Sequence, residues 1–261
     1  MPALLAVSSV ALTSPSPAQA EAAPDFKLAR SSVTPEEAFF AAAPVRIEFR
    51  FIASAPSDVT VAIAGAGGEV RRLELNALAP GVTHTTEWNG LTGAGAAAPD
   101  GRYRVLIGAA GGAGAQAGGV TLRGHRYPVL GRHSFRGGIG RFGASRNGGR
   151  VHEGFDVNAP CGRALVAARG GTVVRRGFDP VLYGNFLLIR GRAEDRTYFY
   201  SHLIRPAKAP KGSEVLTGQR IGRVGRTGNA RSVGCHLHFE IRRKGRPIDP
   251  EPELRRWDRY S

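Results

Sequence analysis

Near the C-terminus the chain reads Gly234-Cys235-His236-Leu237-His238-Phe239-Glu240-Ile241. This alternation is that of a β-strand, in which residues two apart point the same way. His236, His238 and Glu240 therefore share one face, and Leu237, Phe239 and Ile241 the other. Two imidazoles aimed at one spot suit either metal binding or proton transfer, and both chemistries need further groups from elsewhere in the chain. Glu240 is placed either to orient an imidazole or to stand as a surface charge.

Three other stretches offer partners. In Val151-His152-Glu153-Gly154-Phe155-Asp156-Val157, His152 and Asp156 bracket a short loop. A turn at Gly154 and a strand from Phe155 would let both reach one ion. Zinc accepts imidazole nitrogen and carboxylate oxygen at about 2.0–2.2 Å, and a catalytic zinc has three protein ligands and an open fourth position. Thr197-Tyr198-Phe199-Tyr200-Ser201-His202-Leu203 reads as a strand ending on His202, on the face of Tyr198 and Tyr200, where a histidine is either structural or part of a site. From His125 to Arg150 the chain is rich in Gly and Arg with little periodicity. Its Arg132, Arg136, Arg141, Arg146 and Arg150 either line a groove for an anionic or carbonyl-rich substrate or belong to a solvated loop. His84, His125 and His133 lack placed partners and read as structural, and Glu153 as an exposed loop charge.

The elements that must position these groups are strands. Gly171–Val174 and Asn185–Ile189 join the two strands above, with turn residues between them. The run Gly218–Gly228 is punctuated by glycine, which permits tight bends and close backbone approach, but no strand-to-helix context with Gly-Lys-Ser/Thr makes it a phosphate loop. Upstream, period-two patterning begins at Val45-Arg46-Ile47-Glu48-Phe49-Arg50-Phe51. It recurs at Val59–Ile63, Leu73–Leu75, His84–Trp88, Tyr103–Ile107 and Val120–Leu122. Short strands with close turns and no helical period indicate a β-sandwich. The expected fold class is all-β: a leader over 1–20, a linker over 21–42, a sandwich over 43–123, an antiparallel domain over 124–250 and a tail over 251–261.

Trp88-Asn89-Gly90 followed by Pro99-Asp100-Gly101-Arg102-Tyr103-Arg104-Val105 resembles the FlgD-like, immunoglobulin-type domains of bacterial surface and secreted proteins. That resemblance implies a spacer or adhesion module without chemistry. The second half, with His152-x-x-x-Asp156, Tyr-Ser-His ending at His202, Val-Gly-Arg-Thr-Gly, and His236-x-His238 in that order, resembles the lysostaphin/LytM-type zinc metallopeptidases of bacterial cell walls. It implies zinc ligands at His152, Asp156 and His238 and catalytic histidines at His202 and His236. The implied reaction is hydrolysis of a peptidoglycan peptide bond, in the stem peptide or the cross-bridge. Non-catalytic, wall-binding relatives exist and lack one or more of these residues, whereas all five are present here.

The chain departs from the family pattern between Gly228 and His236, where Asn-Ala-Arg-Ser-Val-Gly-Cys is longer than the usual turn and Cys235 replaces the usual proline. Cys161 follows the Asp156 strand. With only two cysteines, one bridge or two free thiols are open, and export favours a Cys161–Cys235 disulfide worth about 4–5 kcal/mol in the chain-entropy estimate. By strand alternation Cys235 points away from the histidine face.

Charge separates the halves. Residues 1–122 carry 8 Lys+Arg and 10 Asp+Glu, net −2, whereas 123–261 carry 28 and 11, net +17. Such a field attracts polyanions such as anionic wall polymers, although an Arg-rich composition alone can produce it. No recognised nucleic-acid module or stacking-aromatic pattern is present, so no nucleic acid is expected. Leu4–Leu12 followed by Ala18-Gln19-Ala20 reads as a truncated export signal, and no later stretch approaches the ~18 apolar residues of a transmembrane helix. The expected location is extracytoplasmic.

Overall fold

The computed structural model describes residues 25–261, and the expected leader lies outside them. The first unit contains β1 (Lys27–Thr34), β2 (Glu37–Phe39), β3 (Val45–Ile52), β4 (Ser57–Gly65), β5 (Gly68–Leu78), β6 (His84–Trp88), β7 (Gly101–Ala109) and β8 (Ala115–Arg123). One sheet has the order β1-β3-β6 and the other β2-β8-β7-β4-β5. In β3, Val45, Ile47, Phe49 and Phe51 are buried while Arg46 and Arg50 are exposed, as the period of two requires. They meet Val59, Val61, Ile63, Val105 and Ile107 in one apolar cluster. Residues 27–39, expected as linker, instead form β1 and β2. Only Val33 of β1 is buried, so this edge strand carries no hydrophobic alternation to read, and its backbone pairing with β3 defines it.

The second unit contains β9 (Ser134–Phe135), β10 (Phe155–Asn158), β11 (Ala164–Val166), β12 (Gly171–Asp179), β13 (Gly184–Gly191), β14 (Arg196–Leu203), β15 (Glu214–Val215), β16 (Arg220–Arg223), β17 (His236–Arg243) and β18 (Arg246–Ile248). Its main sheet has the order β15-β12-β13-β14-β17-β10-β9, with β18 also on β17, and every pairing in it is antiparallel. β17 therefore lies between β10 and β14. On one face Leu237, Phe239 and Ile241 enter the core with Tyr198, Tyr200 and Trp257. On the other, His236, His238 and Glu240 are also buried.

The expected tail forms helix α1 (Glu251–Asp258), closing this core with Leu254 and Trp257. Two apolar positions three apart in eight residues gave little helical signal. Glu251 and Glu253 in its first turn and Arg255 and Arg256 in its last complement the helix dipole.

Hydrogen bonds fasten the two units together. The Thr217 hydroxyl donates to the Phe40 carbonyl, and the Thr217 N–H donates to that of Ala41 at 2.9 Å. The buried Arg169 guanidinium stacks 4.0 Å from the Phe40 ring and donates to the Gly124 carbonyl at 2.7 Å.

Candidate metal centre

The strand register brings the first pair together. Asp156 on β10 lies directly across from His238 on β17, on the same face of the sheet. His152 comes from a hairpin, where its N–H donates to Ala144 at 2.9 Å and its carbonyl accepts from Gly143 at 2.8 Å. The three side chains converge: His152 Nε2 is 2.7 Å from His238 Nδ1 and 3.1 Å from Asp156 Oδ1, and His238 Nδ1 is 3.2 Å from that oxygen.

A tetrahedral shell with arms of about 2.0–2.1 Å has edges of about 3.3–3.4 Å, so this triangle fits a small divalent cation after slight expansion. The donor set, two imidazoles and one carboxylate, is that of hydrolytic zinc. Each ring is also oriented from behind. His152 Nδ1–H donates to the Arg141 carbonyl at 2.8 Å, and His238 Nε2 meets Glu240 Oε1 at 3.0 Å. Glu240, fully buried, receives Arg242 Nε on its other oxygen at 2.7 Å, and Arg242 in turn donates to Glu153 at 2.8 Å. Of the two readings open to Glu240, the structure selects the orienting one, and Glu153 is linked to the site through Arg242.

Electrostatics follow from this packing. Burial would raise the Asp156 pKa, but the close contacts with His152 and His238 hold the carboxylate well below its ordinary range. Burial would lower that of His238, but its contacts to Asp156 and Glu240 push it up to about 9. Without a cation the cluster is thus a carboxylate–imidazolium array, and a divalent ion would take the place of a proton.

His236 and His202 stand beside the three, their ring centroids 4.7 Å apart. His236 Nε2 is 3.8 Å from Asp156 Oδ1, and its Nδ1–H donates to the Gly234 carbonyl at 3.0 Å. His202 Nδ1–H donates to the Thr227 carbonyl at 2.8 Å. Burial lowers the pKa of both, that of His202 to about 3, so each ring is neutral near pH 7 with Nε2 free to accept a proton.

His202 does not share the face of Tyr198 and Tyr200. Those two tyrosines lie in the core, opposite Ile241 and Phe239. Between Tyr200 and Leu203, Ser201 and His202 together oppose the single residue Phe186 of β13, a β-bulge, and His202 takes φ 60°. The bulge turns the ring out of the core and into the cleft. A strict period of two cannot anticipate it.

Sequence reasoning also missed Tyr183 and Thr227. The Tyr183 ring lies 6.2 Å from that of His238, and its carbonyl accepts the His202 N–H at 2.8 Å. Thr227 reaches His202 because Gly184 and Gly228 pack backbone to backbone: a Cβ on Gly228 would lie 2.4 Å from the Gly184 nitrogen. The glycine run was a visible signal for Thr227, but Tyr183 had none.

A cleft of about 650 Å³ opens over these side chains. Of the five arginines considered from sequence, Arg136, Arg146 and Arg150 line it. Arg141 contributes its carbonyl to His152 and its guanidinium to Glu251 at 3.7 Å, and Arg132 is not part of the lining. His125 is indeed structural, stacked 4.7 Å from Trp257 and bonded to Tyr198, and His84 bonds the Ala79 carbonyl. Cys161 and Cys235 form a disulfide, with Cys235 packed against the core side of β17.

Comparison with known proteins covers both units. The chain is 39% identical over 114 residues to the lipoprotein NlpD/LppB homolog of Pseudomonas aeruginosa, covering 43% of this chain and 35% of that one. It is 37% identical over 118 residues to the DD-carboxypeptidase/endopeptidase Mpg of Neisseria meningitidis, covering 43% and 26%. It is 35% identical over 129 residues to the murein hydrolase activator NlpD of Escherichia coli, covering 48% and 30%. The chain thus spans about a quarter to a third of the length of these relatives. Residues 36–113 match the FlgD Ig-like domain and residues 150–250 match Peptidase family M23, so the chain carries an Ig-like domain ahead of a Peptidase family M23 domain that contains the His152, Asp156 and His238 cluster.

Proposed function

We propose that the chain is an extracytoplasmic zinc metallo-endopeptidase that hydrolyses peptide bonds of peptidoglycan, in the stem peptide or cross-bridge. In this reading His152, Asp156 and His238 hold the metal, and His202 and His236 are catalytic. The observation that carries it is the convergence of all five side chains in one cleft, with each histidine's other ring nitrogen engaged by a protein acceptor. Bound there, zinc would supply a Lewis acid and an acidified water near neutral pH. The protein's own part is proton handling. His202 and His236 are neutral, each with a free Nε2, so one can accept a proton as the amide is attacked and return it to the departing amine. The disulfide suits an oxidising compartment, and the +17 of residues 123–261 suits attraction to anionic wall polymers.

A second reading is favoured by the identity to murein hydrolase activators: a wall-binding regulator of separate hydrolases. Incubating the zinc-loaded chain with purified sacculi and analysing released fragments by mass spectrometry tests both. The endopeptidase reading expects soluble peptide fragments from the intact chain and none from His152→Ala. Fragment release that requires an added hydrolase, equally with His152→Ala, would establish the regulator instead.

A further inference from the structure

The wall of the cleft formed by residues 136–151 is basic. Arg136, Arg146 and Arg150 all line the cleft, and none of them makes an ion pair among the described residues. The nearby carboxylates are already committed: Asp156 to the histidines, Glu240 to His238 and Arg242, and Glu153 to Arg242. Other arginines of this unit, such as Arg175, Arg223 and Arg226, also lack an ion pair among the described residues, but they do not line this cleft, whereas Arg255 pairs with Glu251 and Arg256 with Glu253.

One of the three guanidiniums is held by a hydrogen bond, and the aliphatic stem of another is packed. Arg146 Nη2 donates to the Ile139 carbonyl at 2.7 Å, which fixes the plane of the fork and leaves other N–H groups unspent. The stem of Arg136 lies against Gly140, where an added Cβ would come within 2.6 Å of Arg136 Cγ. Burial first, and then repulsion from Arg136 and Arg150, hold the Arg146 guanidinium below its usual pKa, with Asp156 pulling the other way. An anion placed among the three would relieve that repulsion. A planar guanidinium matches a carboxylate with two parallel hydrogen bonds. Ile139, Val151 and Val233, all exposed, line the same cleft and offer aliphatic contact between the charged positions.

We infer that Arg136, Arg146 and Arg150 form a carboxylate-recognition wall. The preferred substrate is then an acidic peptide with small aliphatic residues and a free carboxylate near the cleaved bond, rather than a neutral glycine bridge. This rests on the endopeptidase reading for the cleavage but not for the binding.

The test uses two synthetic cross-linked stem peptides that are identical except that the side and terminal carboxylates of one are carboxamides. Cleavage by the zinc-loaded chain and binding to it, by fluorescence polarisation, are measured side by side. The carboxylate peptide should be cut with at least about ten-fold higher kcat/KM and bound at least about ten-fold more tightly. The preference should collapse toward unity in Arg146→Gln and Arg136→Gln and be partly restored in Arg146→Lys. Zinc content and melting temperature of each variant establish that it is folded. Equal cleavage and binding of the two peptides by the intact chain, or an unchanged preference in both glutamine variants, overturns the inference and leaves the endopeptidase reading standing. Carboxylate-selective binding without cleavage of either peptide supports the wall and overturns the stem-peptide form of the endopeptidase reading, leaving the sacculus digest to decide the cross-bridge form. Failure to bind either overturns the inference.

Discussion

β3 and β17 have the same alternation and opposite fates. In β3 the polar residues Arg46 and Arg50 face solvent, and Glu48 is only half-buried. In β17 the polar residues His236, His238 and Glu240 are 4%, 6% and 0% exposed. Solvated charges on an edge sheet cost little and specify little. Burying three ionisable groups on a central strand is costly unless each finds a partner, and here each does. Of the two strands, only β17 needs its polar residue types for something other than solubility.

That contrast is broken most completely by His238→Ala. It should reduce bound zinc from about one ion per chain to near none and abolish cleavage together, as read by metal analysis and fragment release. His236→Ala should keep the ion and lose about 10²–10⁴-fold in turnover, the usual worth of a proton-transfer group. If His236→Ala lost the metal and His238→Ala kept it, the two roles would be exchanged.

Glu240→Ala removes the buried partner of both His238 and Arg242. A loss of about 3–5 kcal/mol in unfolding free energy is expected for breaking a buried charge pair, with about 10–100-fold weaker zinc binding in chelator competition. An unchanged melt would mean that the buried face of β17 is no more demanding than the open face of β3.

A pH series sharpens the comparison. The folded pKa of His238 is raised to about 9, above an unfolded value near ~6.5, so its contribution to stability is full below the unfolded value and is lost as pH rises through about 9. Asp156 is depressed, so its contribution is present above the ordinary carboxylate pKa and is lost as pH falls below it. The metal-free chain should therefore melt at lower temperature at pH 10 than at pH 7. The zinc-loaded chain should show a smaller drop, because the ion holds the cluster together without the proton. Equal drops would refute the coupling. At the small end, Arg46→Ala and Arg50→Ala on β3 should change unfolding free energy by no more than about 0.5 kcal/mol.

How much was legible in the sequence follows from the same physics. Alternating strands with one buried face, such as β3 and most of β7, announce themselves because each apolar residue reports its own burial, whereas β4 is buried on both faces. The facing of His236 and His238 was legible for the same reason, and their separate roles were suggested by family resemblance. β1 was not legible, because pairing with β3 is made by backbone atoms that every residue shares. Nor was α1, whose two buried side chains matter only once a core exists to receive them. Arg136, Arg146 and Arg150 could not be separated in sequence from Arg132 and Arg141, since membership of the cleft depends on how the segment folds over β10.

The bulge at Ser201 and His202 carries a consequence in terms of coding. Deleting His202 itself would leave a regular ladder with β13, with Tyr200 and Leu203 still available to the core and Ser201 still opposite His238, while the cleft lost an imidazole. The scaffold and its chemistry are therefore separable by a single codon. That deletion would improve the regularity of the sheet and erase half of the proton-handling pair, whereas removing Ser201 instead would place the histidine opposite His238 on the same cleft face.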